Sequence, residues 1–267
     1  YITVSTSIGN MTRVATDEKG GQTFEEGDEI SVYAWTGDAT VAPETRERVV
    51  NNAINKLTNG SWVSTPQMLW KNNRDKHYFI GVYPISAISD LSAGEYTFDV
   101  NKQTESDLLV AVNKDGLSYN VDEQQTVPLT FTHVMAKLVV NLTYKNQWGG
   151  IPTVEKVVVG NAAKEATINY LTKVVTPSTT AKEDFSLPEI TENTKYVSVI
   201  IPQEDVKQLT IVIGGKNFVY DNGTPFKLES GKITTVNLEV GRDEIKLGDV
   251  KITDWENGST FSGEALN

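Results

Sequence analysis

The residues that could carry chemistry in this chain are two histidines, 35 acidic residues and five tryptophans. Neither His77 nor His133 has a second histidine, or a carboxylate four residues away in a helical frame, so the pattern gives no metal-binding pair. We expect structural roles instead. His133 lies in the middle of a predicted strand, where its imidazole can bond a backbone group freed by a bulge, and His77 marks a strand edge.

The acidic residues give little support to catalysis. A glycosidase needs two carboxylates across a cleft, and candidates exist, such as Glu25, Glu26 and Asp28, or Asp122 and Glu123. In a chain with 35 acidic residues, however, neighbouring carboxylates on loops arise by chance. No serine stands in a G-x-S-x-G motif and no glycine-rich loop precedes a helix. The sequence therefore predicts no enzyme, no metal site and no cofactor.

Charge and cysteine content exclude further classes. A formal net charge of −11 argues against binding a phosphate backbone, so no nucleic-acid partner is predicted. The absence of cysteine excludes disulfides, thiolate zinc sites and cysteine nucleophiles from this sequence. No apolar run approaches the roughly 20 residues of a membrane-spanning helix. The five tryptophans could stack on sugars, although in a β-sandwich most large aromatic residues fill the core.

Most of the chain has the pattern of β-strands. Alternating or β-branched runs are separated by turn sequences such as "KDG" at 114–116 and "DNGT" at 221–224, which predicts an all-β fold with antiparallel neighbours. One segment differs. Residues 42–60 place Val49, Val50, Ala53, Ile54 and Leu57 at helical spacing, which predicts a short helix. The polar stretch 172–194 is interpreted as a surface loop with one short strand.

The run "LTFTHVMAKLVVNL", residues 129–142, changes its buried face. Leu129 and Phe131 are apolar on one parity, whereas Leu138 and Val140 are apolar on the other. Side chains alternate along a strand, so this change requires a bulge or a strand that leaves one core for another. We place a domain boundary here, which gives an N-terminal domain of residues 1–130 and a C-terminal domain of residues 131–267.

Several segments in order along the chain resemble the fimbrillin family, the Mfa-like and FimA-like surface proteins of Gram-negative anaerobes. They are "FEEGDEISVYAW" (24–35), "FIGVYP" (79–84), "VPLTFTHVMAKLVVNL" (127–142), "GKITTVNLEV" (231–240) and "ITDWENG" (252–258). The landmark residues within them are Phe24, Gly27, Asp28, His133, Lys137, Asp254 and Trp255. Gly27 and Asp28 suit a tight turn before a strand, and Trp255 suits a plug at the base of the second core.

The resemblance implies two tandem β-sandwich domains of the transthyretin-like, Greek-key kind. The short helix predicted from spacing falls in the first of them. It also implies a structural subunit of a fimbria, or pilus, that serves cell adhesion at the outer membrane. Such proteins are exported as lipoproteins through an upstream cysteine that is absent from this sequence. An arginine-specific protease then removes a first strand, and a strand of another subunit, in a homo- or hetero-polymer, fills the groove. A host or bacterial surface ligand is a further implied partner.

Carried onto this sequence, the resemblance points to Ile2, Val4 and Ile8 as the removable first strand and to Arg13, in the polar connector 11–22, as the processing site. An ordinary solvated arginine is the alternative for Arg13. The alternative function is a surface adhesin or glycan-binding lipoprotein that does not polymerise and uses exposed aromatic residues.

Overall fold

Strands make up most of the described chain. The computed structural model describes residues 1–9, 23–123 and 125–255. Its strands are β1 (Thr3–Ile8), β2 (Glu29–Thr36), β3 (Arg48–Thr58), β4 (Ser61–Thr65), β5 (His77–Tyr83), β6 (Gly94–Thr97), β7 (Leu109–Leu117), β8 (Thr126–His133), β9 (Ala136–Tyr144), β10 (Val154–Ala163), β11 (Glu165–Asn169), β12 (Val174–Pro177), β13 (Lys182–Ser186), β14 (Glu189–Thr191), β15 (Lys195–Ile200), β16 (Gln208–Ile213), β17 (Lys216–Asp221), β18 (Lys232–Val240) and β19 (Ile245–Asp254).

Helical structure in the same residues is limited to single turns. They are α1 (Gln103–Ser106) and two 3₁₀ turns, Thr45–Glu47 and Asn146–Trp148. The predicted all-β fold is therefore confirmed. No helix in the described part of the chain is long and apolar enough to cross a membrane.

The first sheet has seven strands in the order β1-β8-β7-β5-β2-β3-β4. Its neighbours are antiparallel except for β1, which runs parallel to β8, with Thr3 opposite Thr126 and Ile8 opposite Phe131. The sheet curls until its two edge strands, β1 and β4, approach each other. A hydrogen bond joins them, in which the Trp62 indole N–H of β4 donates to Thr6 Oγ1 of β1 at 3.0 Å. The curled sheet thus encloses a core on its inner face.

The later strands form three further sheets. Their orders are β13-β10-β16-β17, β14-β15-β9-β18-β19 and β12-β11-β6. The pairing of β6 with β11 places Gly94 opposite Ile168, so a strand from the earlier part of the chain completes a sheet of the later part. The two halves of the chain therefore contact each other through a shared sheet.

Two clusters of buried apolar residues lie on the two faces of the seven-stranded sheet. The first core consists of Ile2, Val4, Ile8, Ile30, Val32, Ala34, Val50, Ala53, Met68, Phe79, Leu109, Ala111, Val127, Leu129 and Phe131. The second core takes Tyr33, Trp35, Ile80, Val82 and Val110 from the opposite face of that sheet and joins them to apolar residues of the later strands. Alternation along β2 explains the division, because Val32 points into the first core and Tyr33 into the second.

The change of face in 129–142 is confirmed. Leu129 and Phe131 of β8 belong to the first core, whereas Leu138 and Val140 of β9 belong to the second. The run is two strands separated by Val134 and Met135. Backbone groups at the break still form hydrogen bonds. Val134 N–H donates to Leu108 O at 3.0 Å, and Met135 O accepts the Gly231 N–H at 2.9 Å.

The predicted helix over 42–60 is wrong, because most of this segment is β3. A bulge caused the false period. Ala34 of β2 pairs with Val50 but Val32 pairs with Ala53, so β3 carries one extra residue there. Asn52 adopts φ 55° within the bulge. The buried positions therefore change parity at the bulge, and the buried residues Val50 and Ala53 are three positions apart, a step that imitates a helix.

The interpretation of 172–194 as a loop with one strand is also wrong. The segment holds three short strands, β12, β13 and β14, each of which is the edge of its sheet. Polar residues suit such edges, because an edge strand with charged side chains resists pairing with other chains.

Candidate functional site

The strand β1 fills one side of the first core. Ile2, Val4 and Ile8 point inward and are 2%, 6% and 8% exposed. Thr6 has the same parity, and its hydroxyl accepts the Trp62 indole N–H instead of filling a hydrophobic pocket. The three aliphatic residues expected in the first strand are therefore brought together on one buried face.

The backbone of β1 is paired on one side only. Its parallel ladder with β8 runs from Thr3 to Ile8, and Gly9 N–H extends it by donating to Phe131 O at 2.8 Å. As the first strand in the sheet order, β1 leaves its other side without a ladder partner among the described residues. Such an edge strand can be exchanged for another without breaking any strand pair except its own.

Three residues hold β1 and the two residues before it, two of them through an indole side chain and Met68 through its backbone carbonyl, and we call Trp62, Met68 and Trp70 the clamp. Met68 O accepts the Ile2 N–H at 2.9 Å. The Trp70 indole N–H donates to Tyr1 O at 3.2 Å, and the Trp62 indole N–H donates to Thr6 Oγ1. The sequence analysis did not identify the clamp. The signal in the sequence was that Trp62 and Trp70 end two further segments that resemble the family, "NGSW" (59–62) and "LW" (69–70), but the residues they contact lie about 60 positions away along the chain.

A groove of about 690 Å³ separates β1 from β4. Phe24 lies at its wall and contacts Trp62, Tyr83 and Phe131 edge-to-face, with ring centroids 5.3, 5.4 and 5.1 Å away. Edge-to-face packing of this kind orients rings as well as burying them. Phe24, the first of the family landmarks, thus fixes the aromatic wall next to the edge strand.

Gly27 and Asp28 form the tight turn that was predicted before β2. Gly27 has φ 99°, a conformation that favours glycine. The Asp28 carboxylate accepts the Glu25 N–H at 2.7 Å and the Tyr83 hydroxyl at 3.5 Å. Burial raises the pKa of Tyr83, and the negative charge of Asp28 raises it further. The turn therefore ties β2 to the end of β5.

The landmarks His133, Lys137 and Trp255 converge with Asp107, and we call these four residues the junction cluster. His133 Nδ1 donates to Asp107 Oδ1 at 2.8 Å. Its ring stacks on Trp255 at 3.9 Å with an interplanar angle of 8°, and Lys137 Nζ lies 4.2 Å from the centroid of the same indole. Burial lowers the pKa of Lys137, while the negative charge of Asp107 opposes the shift.

The junction cluster fastens the end of β19 to the break between β8 and β9. Trp255 belongs to the second core, as expected of a plug, and its backbone N–H donates to Gly231 O at 2.9 Å. The neighbouring landmark Asp254 forms an exposed ion pair with Lys232, which raises the pKa of that lysine. The backbone role proposed for His133 stays a prediction, because the contact found here joins its ring to a carboxylate.

His77 is the first residue of β5, which agrees with the prediction that it marks the edge of a strand. Its Nε2 accepts the Lys71 N–H at 3.0 Å and its Nδ1 lies 3.0 Å from Asp75 O. This pair of contacts suits a neutral ring that carries its proton on Nδ1. Burial lowers the pKa of His77, which also favours the neutral form. Among residues 1–9, 23–123 and 125–255, no group of three acidic, histidine or cysteine residues could hold a metal ion.

The expected processing residue Arg13 lies outside the described residues, in the segment 10–22 between Gly9 and Thr23. The structure therefore describes the strand before it and the aromatic wall after it. Its cleavage remains a prediction.

Comparison with known proteins decides the family. The family model described as fimbrillin-like matches residues 12–255, which is most of the chain. This chain belongs to the fimbrillin-like family. Fimbrillin-like proteins are structural and adhesive proteins of cell-surface appendages, so the chain is a fimbrial protein and its family is not an enzyme family. A search of curated protein sequences found no significant match.

Solved structures of similar fold come from Bacteroides and Porphyromonas species. A proposed cell adhesion protein of Bacteroides uniformis has 18% identity and a TM-score of 0.69, over 95% of this chain and 98% of that one. One from Bacteroides ovatus has 18% identity and a TM-score of 0.67, over 95% and 97%. The tip fimbrial protein Mfa3 of Porphyromonas gingivalis, with a C-terminal truncation, has 11% identity and a TM-score of 0.54, over 89% and 97%. At these identities the structures show that the fimbrillin-like chain shares their fold.

Proposed function

We propose that this fimbrillin-like chain is a structural subunit of a cell-surface fimbria that assembles by exchange of β1 for a strand of another subunit. The observation that carries the proposal is the position of β1. It is an edge strand with one ladder, yet β1 and the residue before it bury Ile2, Val4 and Ile8 in the first core. Loss of β1 would leave an unpaired edge on β8 and three empty hydrophobic pockets. A groove of this kind can accept an added strand by β-augmentation.

The parallel direction of β1 supports its replacement. Parallel ladders are slightly less stable per residue than antiparallel ones, so an incoming strand that runs antiparallel to β8 would pair at least as well. It would also need apolar residues at alternate positions to match the pockets of Ile2, Val4 and Ile8. A strand that meets both requirements would fix the next subunit in the fibre.

Release of β1 requires a cut between β1 and β2. We propose that cleavage after Arg13 supplies it, since Arg13 follows β1 in the connector that leads to Phe24. The burial of Ile2, Val4 and Ile8, the ladder to β8 and the three hydrogen bonds of the clamp would then retain the cut strand. Export as a lipoprotein to the outer membrane, implied by the resemblance, is part of the same proposal.

We also propose that the chain divides into domains of residues 1–130 and 131–267. The change of core between Phe131 and Leu138 supports this division, as does the separation of the strands into an early sheet and later sheets. The pairing of β6 with β11 would then fix one domain against the other. Other fimbrial subunits are the proposed partners of the assembled protein.

Limited digestion with an arginine-specific protease tests the proposal. We expect a dominant cut after Arg13 by intact mass and the appearance of heat-sensitive ladders on an unheated denaturing gel. Arg13→Ala should abolish both, whereas Arg74→Ala, which changes another arginine in a loop, should abolish neither. A cut chain that stays monomeric, or ladders that form equally in Arg13→Ala, would contradict the proposal.

A further inference from the structure

The strand β19 is an exposed edge of the later part of the fold. It is ten residues long and lies at one end of the sheet β14-β15-β9-β18-β19. Its ladder to β18 is its only strand pairing in the part of the chain that the structure describes. Every residue from Lys246 to Asp254 is exposed. A long edge strand whose backbone is unpaired on one side is a template for pairing with another strand.

One face of β19 carries an apolar row that consists of Leu247, Val250 and Ile252. The row lies on the same face of the sheet as the second core, because Leu247 and Val250 are opposite Leu238 and Val236 of β18. Each side chain of the row is 38% exposed. The apolar face of the sheet therefore continues past the core and ends at an exposed edge, which is a surface typical of protein association.

A bulge makes this edge symmetric about Val250. Gly248 is the extra residue of β19, because the pairing with β18 shifts register between Leu247 and Asp249. Outward from Val250, with Gly248 passed over, each direction gives one charged residue and then one apolar residue. These residues are Asp249 and Leu247 in one direction, and Lys251 and Ile252 in the other. The edge is therefore complementary to a second copy of itself that runs antiparallel.

The two charged residues beside Val250 can each accept a further partner. Asn237 Nδ2 donates to Asp249 Oδ1, which leaves Asp249 Oδ2 for another donor. Within the described ranges, the Lys251 ammonium forms no ion pair or hydrogen bond. A lysine on a strand edge commonly deters pairing with other chains. Antiparallel pairing about Val250 instead places each Lys251 opposite Asp249 of the second copy, and opposite charges that face each other stabilise a strand pair.

We propose that two copies of this chain pair edge to edge through β19, antiparallel about a two-fold axis at Val250. In this dimer Val250 lies opposite its own copy, each Asp249 lies opposite Lys251, and each Leu247 lies opposite Ile252. A two-fold contact uses the same patch on both partners, so it closes at two copies. The dimer leaves β1 and the first core unchanged. It is therefore a lateral contact between subunits, independent of the strand exchange proposed above.

Sedimentation of the uncut protein tests this inference, because strand exchange does not contribute without a cut. We expect a reversible equilibrium of monomer and dimer between about 1 µM and 1 mM. Lys251→Asp and Asp249→Lys should each weaken dimerisation about tenfold or more, since each variant places like charges opposite each other twice. The double variant restores both pairs with their signs exchanged, so its dimerisation should return to within about threefold of the parent.

A cysteine at Val250 tests the position of the two-fold axis. The chain has no cysteine, and facing residues of an antiparallel pair have Cα atoms about 4.5–5.5 Å apart, which a disulfide can span. Val250→Cys should therefore form disulfide-linked dimers on mild oxidation. Val174→Cys is the control, because Val174 is 56% exposed on β12, the edge strand of another sheet.

The inference is overturned if the protein stays monomeric up to about 1 mM, or if Val174→Cys crosslinks as readily as Val250→Cys. It is also overturned if the double charge variant dimerises no better than the single variants. Thermal midpoints report whether Asp249→Lys, which loses the hydrogen bond from Asn237, still folds. The cysteine experiment does not depend on that variant.

Discussion

The ring of His133 stacks on the indole of Trp255 at 3.9 Å, although 122 positions separate the two residues. His133 ends β8 and Trp255 follows β19, so the stack joins the last strand of the early sheet to the end of the described chain. Asp107 orients the imidazole through Nδ1 at 2.8 Å. The landmark residues of the C-terminal motif therefore stabilise the point at which the chain passes from one core to the other.

Trp255→Ala should destabilise the protein strongly. Removing a buried tryptophan leaves a cavity, and here it also removes the stack with His133, so we expect a loss of about 3–5 kcal/mol in the free energy of unfolding. Urea denaturation followed by circular dichroism measures it. Trp148→Ala, at a half-buried tryptophan, is the matched control and should cost less. Equal losses in the two variants would show that the junction cluster has no special role.

Val4→Asp should loosen β1 in its groove. Val4 is 6% exposed, so the variant would place an unpaired carboxylate in the first core. We expect hydrogen exchange in residues 3–8 to rise at least about tenfold, because the strand would leave its groove more often. Ser5→Asp points to solvent from the same strand and should leave exchange nearly unchanged. Slow exchange in both variants would mean that β1 is held by contacts other than its inward side chains.

His77 should contribute a pH-dependent part of the stability. Burial lowers its pKa below the ordinary value of 6.5, so the unfolded chain binds the proton more readily than the folded chain. The contribution is fully present above about pH 6.5 and declines as the pH falls toward the lowered pKa. We expect His77→Gln to flatten the loss of unfolding free energy between about pH 7 and 5. Parallel pH profiles for the parent and the variant would contradict this assignment.

Asn52 should tolerate glycine better than valine. Its φ of 55° lies in the left-handed region, which a β-branched residue adopts only at a cost of about 1–3 kcal/mol. Asn52→Gly keeps the bulge and loses only the weak contact from the Tyr33 hydroxyl at 3.3 Å. We therefore expect Asn52→Val to lower the thermal midpoint more than Asn52→Gly does. The reverse order would show that β3 pairs without the bulge.

The sequence predicted those features that depend on local alternation. The parity change around His133 predicted that the chain moves between cores, and the short turns predicted an all-β fold. The same reasoning failed at β3, because a bulge at Asn52 gives a strand the three-residue spacing of a helix. Alternation of apolar residues cannot distinguish the two when one extra residue interrupts a ladder.

The candidate sites could be predicted only in part. Ile2, Val4 and Ile8 have strand alternation, so their common burial was predictable. Their parallel partner β8 lies more than 120 residues away along the chain, and local pattern does not determine such a pairing. The clamp and the contact of Asp107 with His133 depend in the same way on separate segments of the chain. Such contacts are determined by the assembled sheets and not by the local sequence pattern.

The most direct test of strand exchange is to lock β1 in place. Thr3 and Thr126 are opposite each other in the ladder, with their hydroxyl oxygens 3.3 Å apart, and the chain has no cysteine. Thr3→Cys combined with Thr126→Cys should therefore form one disulfide between β1 and β8. After cleavage at Arg13, we expect the oxidised variant to stay monomeric and the reduced variant to form heat-sensitive polymers. Equal polymerisation in both states would contradict assembly by exchange of β1.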